Sequence, residues 1–335
     1  MSLQRVLIVG CGQIAGGFDA SRPPALPPLT HAGAYRRHGS FEIAACVEPD
    51  AERRAAFMHR WGVAQGFASV PEAAAAGPFD VVSLCSPTAL HAAQFDEVLA
   101  MQPRLVFCEK PLTPTLARSE RLVAHGETAG VPLAVNHTRR WAPDIWRLAD
   151  ELAAGDWGTL RSAVGTYNKG VLNNGSHLID LLHMLLRAEH GPLRVLAAGP
   201  PVADHWADDP TIPALLQTES GVPIHLHTAH AADYAVFELQ LTTSEAVITM
   251  EDGGSAWRIR RVVPSAAFAG YRVLDAGERT PGRYAEATLA AITNLHDTLT
   301  NGAPLLGTGC GAVAAQRVCE QIRRLSEPSS NPARP

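Results

Sequence analysis

The 335-residue chain is 46% hydrophobic and 18% charged, with a formal net charge of -5. This is the composition of an ordinary soluble globular protein, and at this length two domains are expected. The acidic balance argues against a nucleic-acid surface, and no apolar run is long enough to cross a bilayer as a helix. The six cysteines form no C-x-x-C pair and are expected to be reduced thiols in a cytoplasmic protein.

Val6-Leu7-Ile8-Val9 followed by Gly10-Cys11-Gly12-Gln13-Ile14-Ala15 fits a strand, a G-x-G-x-x-A turn and a helix. The first glycine makes the tight turn, the second lets backbone approach a pyrophosphate, and the small third residue lets the helix pack closely. Gly10, Gly12, Gln13 and Ile14 are therefore expected to touch a dinucleotide. Pro23, Pro24, Pro27 and Pro28 then mark a stiff non-helical insertion, either a lid over the nucleotide edge or a plain surface loop. A helix is expected to resume near His31. Residues 41–47 read as the second strand, and Glu48 ends it. An acidic side chain there accepts hydrogen bonds from the adenosine ribose and repels a 2′-phosphate, which favours NAD over NADP. Asp50 competes for this role, and Arg53 and Arg54 leave NADP open.

Residues 79–84 form the next buried strand, ending in Cys85-Ser86-Pro87-Thr88, with His91 one turn into the following helix. The apolar run 104–107 leads into Cys108-Glu109-Lys110-Pro111, where proline, unable to donate to a ladder, stops the strand. A last strand at 132–135 ends in Asn136-His137-Thr138-Arg139-Arg140-Trp141. Ser86, Pro87, His91, Glu109, Lys110 and Asn136 thus fall on the carboxyl edge of one parallel sheet, where open α/β sheets hold ligands. Lys110 and Lys169 are the only lysines in a chain of 28 basic residues. Arginine does not deprotonate near neutrality, whereas a desolvated lysine serves as acid or base, so Lys110 is a catalytic candidate on chemistry alone.

From about residue 137 the composition changes. Residues 142–154 read as an amphipathic helix and 158–167 as a strand. Another helix starts within Asn173 to His183, and residues 194–274 alternate in the manner of an antiparallel sheet covered on one face by helices. Helices at 285–299 and 311–325 close the chain. The expected organisation is a Rossmann domain over 1–136, an α+β domain over 137–327 and a disordered tail over 328–335. Arg139, Arg140 and Trp141 are candidates for sugar hydroxyls or a nucleotide phosphate. His225 and His227 share a strand face, but no acidic or cysteine ligand accompanies them at ligand spacing, so no metal is expected.

Four pieces in order, Gly10 to Ala15, Ser86-Pro87-Thr88 with His91, Glu109-Lys110-Pro111, and Gly175-Ser176-His177-Leu178-Ile179-Asp180, resemble the glucose-fructose oxidoreductase / inositol dehydrogenase (Gfo/Idh/MocA) family over nearly the whole chain. The resemblance implies a doubly wound Rossmann sheet followed by an α+β domain with a large, mostly antiparallel open sheet. That second sheet would join subunits into a homodimer or homotetramer. It further implies a nicotinamide cofactor and a carbohydrate substrate, with a softer likeness to members encoded with surface-polysaccharide genes. Carried over, Lys110 would exchange a proton with the reacting hydroxyl and His177 would orient or share it. Many relatives carry an aspartate where this chain has Asn173, which cannot accept a proton; Tyr167 or Lys169 are the available substitutes beside the substrate. Asp180 is expected to be structural and His183 a core histidine. Two other activities are compatible with the resemblance: an NAD-recycling glycosidase and a non-catalytic cofactor-bound regulator.

Overall fold

A computed structural model describes residues 3–186 and 190–327; the expected tail from 328 lies outside the described residues. The chain divides into two compact units, each built from two stretches. One takes the described residues up to Pro143 together with Ala285–Val313. The other takes Asp144–Tyr284 together with the described residues from Ala314. The expected single crossing at 136/137 is therefore replaced by a discontinuous division, and the helix Ala287–Asn301, assigned by sequence to the second domain, belongs to the first.

The first unit comprises β1 (Gln4–Val9), α1 (His31–His38), β2 (Phe41–Val47), α2 (Ala51–Trp61), β3 (Gln65–Phe67), α3 (Val70–Ala74), β4 (Val81–Leu84), α4 (His91–Leu99), β5 (Leu105–Cys108), α5 (Leu116–Ala129) and β6 (Leu133–Val135). Its six strands are all parallel in the order β3-β2-β1-β4-β5-β6. The order reverses between β1 and β4, which opens the ligand crevice at their carboxyl ends. Val6 to Val9 and Leu105 to Cys108 are fully buried, as the centre of a sheet covered on both faces requires. Each such aliphatic side chain contributes about 1.5–3 kcal/mol relative to exposure.

The proline-rich insertion is spliced into the first turn of α1. His31 N–H donates to Ile14 O at 3.2 Å and Ala32 N–H to Ala15 O at 2.9 Å, the bonds that Phe18 and Asp19 would make in an unbroken helix. Those two residues instead turn away, donating to Gln13 O and Gly16 O. The Asp19 carboxylate then draws the loop's exit back, accepting from Leu29 N and Thr30 N and from Thr30 Oγ1 at 2.7 Å. Arg60 Nε donates to Ala20 O and Arg37 Nη1 to Pro24 O. Both arginines stand in the last turns of their helices, so the insertion lies along α1 and α2 rather than over the strand ends.

The second unit comprises α6 (Pro143–Ala154), β7 (Leu160–Tyr167), α7 (Ser176–Leu186), β8 (Leu193–Ala198), β9 (Val202–Trp206), β10 (Asp209–Thr211), β11 (Ala214–Thr218), β12 (Pro223–Thr228), β13 (Phe237–Thr243), β14 (Ala246–Glu251), β15 (Ala256–Pro264), β16 (Arg272–Leu274) and β17 (Glu278–Pro281). Its large sheet runs β16-β15-β14-β13-β7-β12-β11-β8, with β17 beside β15. Only the β7/β12 pairing is parallel. A Cβ on Gly165 would collide with Leu178, so the bare backbone of β7 lets α7 lie directly on the sheet. The wide turn Gly170–Gly175 that leads into α7 is held from the β9–β10 hairpin. Asp209 Oδ1 accepts from Leu172 N at 2.9 Å and its Oδ2 from Asn173 N at 2.8 Å. Burial holds this carboxyl above the usual carboxylate range despite the two amide donors. Asp209→Ala leaves both amides without that acceptor, a loss of about 2–4 kcal/mol; the expected reading is a lower urea midpoint at unchanged m-value.

Candidate functional site

Each functional side chain of the first unit is placed by the end of a strand. Gly10 leaves β1 with φ +87° and approaches β4 so closely that a Cβ would lie 2.7 Å from Ser86 N. Apart from its chain neighbours, no atom of the described residues lies within 4 Å of a Cβ placed on Gly12, which leaves the open backbone cradle a pyrophosphate needs. Gln13 is exposed and Ile14 half-buried beside it. Glu48, at the end of β2, is buried and turned toward this loop: Oε2 accepts from Cys11 N at 3.1 Å, and Oε1 from Asp50 N at 3.2 Å and Arg53 Nη1 at 3.4 Å. Oε2 keeps a lone pair for a ribose hydroxyl. Asp50 caps α2 by accepting from Arg53 N, and Arg54 Nη1 donates to Glu48 O, so both have structural employment.

Past β4, Ser86 hydroxyl donates to Gln94 Oε1 and Pro87 is exposed. His91 differs from the cofactor contact expected of it. It is fully buried, with Nε2 2.8 Å from Ser86 O and Nδ1 3.1 Å from Leu112 O. It clamps the loops after β4 and β5 together from behind the edge. After β5, Glu109 Oε1 receives Asn136 Nδ2 at 2.7 Å and His31 Nε2 at 2.9 Å. Burial pushes the pKa of this carboxyl up, but His31, Asn136 and the adjacent Lys110 ammonium outweigh it and hold the pKa below the usual carboxylate range. Lys110 is half-buried at the same edge. Cys85 and Cys108 are buried among these groups, and burial with the Glu109 charge pushes both thiols well up, so neither is a nucleophile at neutral pH.

Arg139 and Arg140 are half-buried in the short helical turn after β6, with Arg140 Nη1 3.4 Å from Leu306 O. Trp141, expected to meet substrate, is packed edge-on to Phe107 at 6.3 Å and against Gly307, 2% exposed. It is a core side chain of the first unit. In the second unit Tyr167 is likewise corrected: fully buried, its hydroxyl donates to Ile212 O at 2.7 Å and accepts from Ile212 N at 3.2 Å. Asn173 Nδ2 donates to Lys169 O. His177 stands in the first turn of α7, buried, with its ring edge-on to Phe237 at 6.5 Å. Asp180 is buried one turn on. His225 and His227 occupy the exposed face of β12.

Sequence reasoning missed His31, which supports Glu109 in the first unit, and Asp209, which holds the turn ahead of α7 in the second. Only long-range contacts reveal them, since His31 reaches Glu109 across the sheet and Asp209 reaches a turn in an earlier stretch. The residues present fit a dinucleotide: an open cradle at Gly12, a carboxylate at β2, and a buried acceptor, Asn136 Oδ1, that has no partner among the described residues.

Residues 4–137 match the model of the oxidoreductase family with an NAD-binding Rossmann fold, GFO_IDH_MocA. D-apiose dehydrogenase of Paraburkholderia graminis is 28% identical over 222 residues, 61% of this chain and 58% of that enzyme. Inositol 2-dehydrogenase of Corynebacterium glutamicum is 33% identical over 126 residues, 37% of each. The chain thus spans well under two thirds of the curated relatives it matches. Among solved structures, the WlbA dehydrogenase of Bordetella pertussis in complex with NADH and UDP-GlcNAcA shares the fold. Its TM-score is 0.75 at 18% identity, over 97% of this chain and 96% of that one.

Two glycine substitutions separate folding from binding. Gly10→Ala forces a side chain into left-handed backbone against Ser86 and costs about 1–3 kcal/mol or more in thermal unfolding. Gly12→Ala has free space, so the expected result is an unchanged melting temperature with NADH affinity reduced about tenfold or more by fluorescence titration.

Proposed function

We propose, for a chain that belongs through residues 4–137 to the Gfo/Idh/MocA oxidoreductases, that it transfers hydride between NAD(H) and a secondary alcohol or ketone of a sugar or sugar nucleotide. The observation that carries this reading is the shared edge of the first unit. The glycine cradle, the Glu48 carboxylate and the Glu109-Lys110 pair stand at the carboxyl ends of parallel strands β1, β2 and β5. Relatives named for D-apiose and inositol support a polyol or sugar substrate, and a dehydrogenase of the same fold solved with UDP-GlcNAcA makes the nucleotide-linked variant compatible with this architecture.

When bound, the nicotinamide supplies or accepts the hydride. The chain's own residues do the rest. The first-turn amides and Gly12 backbone receive the pyrophosphate, and Glu48 Oε2 accepts from the ribose, which favours NAD over NADP. In the oxidative direction neutral Lys110 takes the hydroxyl proton as the carbon loses hydride, leaving a ketone; in reduction its ammonium returns that proton to the oxygen. The resemblance gives His177 the companion role, and Arg139, Arg140 and Asn173 remain substrate candidates.

Six free cysteines support a reducing, cytoplasmic setting. Among the described residues no helix is long and apolar enough to cross a membrane. The alternating half-exposed side chains of β13 and the exposed face of β12 support assembly into a homodimer or homotetramer through the large sheet.

The test pairs mass spectrometry of cofactor released from denatured protein with NADH titration and turnover of the native chain and Lys110→Ala. Exchangeable NADH is expected to bind both proteins within a few-fold, while kcat falls about 10²–10⁴-fold in the variant. Tightly retained NAD(H) with no net NADH change would redirect the reading to cofactor-recycling elimination. Absence of any nicotinamide binding would overturn it.

A further inference from the structure

A continuous chain of buried polar groups runs beneath the catalytic edge of the first unit. Tyr35 hydroxyl lies 2.8 Å from Ser83 Oγ, Ser83 Oγ lies 3.2 Å from His31 Nδ1, and His31 Nε2 lies 2.9 Å from Glu109 Oε1. Tyr35, His31 and Ser83 are all fully buried, and the imidazole packs against the Phe107 ring at 4.5 Å. An ionised carboxylate only accepts, so Nε2 carries the proton toward Glu109. The directions then fit without conflict: Tyr35 donates to Ser83, Ser83 to Nδ1, and Nε2–H to Glu109, which also receives the Asn136 amide on the same oxygen.

We infer that His31 is a positioning residue: its Nε2–H, with the Asn136 amide, pins the Glu109 carboxylate beside Lys110 and so sets the electrostatic surroundings of the lysine amine. The inference deepens the assignment of Lys110 as the acid–base group and rests on it. A proton relay to solvent is the rival role for such a chain, but this one ends inside the protein at Tyr35, so it has no route for exchange. The backbone supplies an independent sign. The insertion leaves and re-enters α1 such that His31 takes the Ile14 carbonyl that residue 18 of an unbroken helix would take. The re-entry of the chain at this point sets His31 in the first turn of α1 with its imidazole on Glu109. Among the described residues, the ionisable groups that act on Glu109 or feel its charge include His31 from α1, Lys110, and the thiols of Cys85 and Cys108.

The experiment uses the two-lysine composition. Competitive acylation of the ligand-free full chain across pH, with mass spectrometry of the Lys110 and Lys169 peptides, reads the labelling midpoint of each amine without any need for turnover. In His31→Ala the Lys110 midpoint is expected to move down by about half a pH unit or more, in the same direction as in Glu109→Gln, because the carboxylate is no longer pinned close beside the amine. The Lys169 midpoint stays fixed and serves as the internal standard. His31→Gln, whose amide reaches the Nε2 position, is expected to restore the wild-type midpoint, and Ser83→Ala to lower the melting temperature with the midpoint unmoved. A Lys110 midpoint unchanged or raised in His31→Ala, or a Gln variant that behaves as Ala does, would overturn the inference. Because the labelling needs neither cofactor nor substrate, its failure is separable from failure of the oxidoreductase reading, which is judged by turnover.

Discussion

The closest constraint in the first unit is the contact of two backbones. Gly10 and Ser86 leave adjacent parallel strands at the same level, and they approach within a distance that excludes even a methyl group. That approach is where strand order reverses, and it fixes the height at which the glycine loop, the Ser86 turn and the Glu109-Lys110 segment all open toward one edge. His91 locks the arrangement from behind by bridging the second and third of these loops. Displacing any one loop therefore displaces its neighbours, because each is bonded to the next through buried polar atoms rather than through mobile surface contacts.

Both units use the same physical device. A buried carboxylate gathers amide or imidazole donors and thereby fixes a turn: Glu48 for the glycine loop, Asp19 for the insertion, Glu109 for the lysine segment, and Asp209 for the turn ahead of His177. Charge-assisted hydrogen bonds of this type are stronger than neutral ones and directional. They hold irregular backbone in place where no ladder or helix is available to do so.

Five strands of the first sheet were legible as apolar runs whose ends carry the motifs of a nucleotide edge; the edge strand β3, only Gln65-Gly66-Phe67, carries no such run and was not. The resumption of a helix at His31 was also visible. What the helix does there was not, since the bond from His31 to Glu109 joins positions 78 apart. Trp141 and Tyr167 misled for one reason: polar-tipped aromatics beside a site motif look like ligand contacts, whereas Phe107, Gly307 and the Ile212 backbone bury them. The return of Ala287–Asn301 to the first unit carries no local signal either, because an amphipathic helix does not state which core it covers.

Transfer of hydride to carbon by this chain is open to a direct isotopic test. Native protein would be incubated with NADH deuterated at the transferable C4 position and a panel of keto sugars and keto sugar nucleotides, and the products examined by mass spectrometry and NMR. One carbon-bound deuterium per molecule of alcohol formed, at the former carbonyl carbon, is the predicted result. Sugar products without carbon-bound label, or NADH bound with no label transferred to any member of the panel, would contradict it.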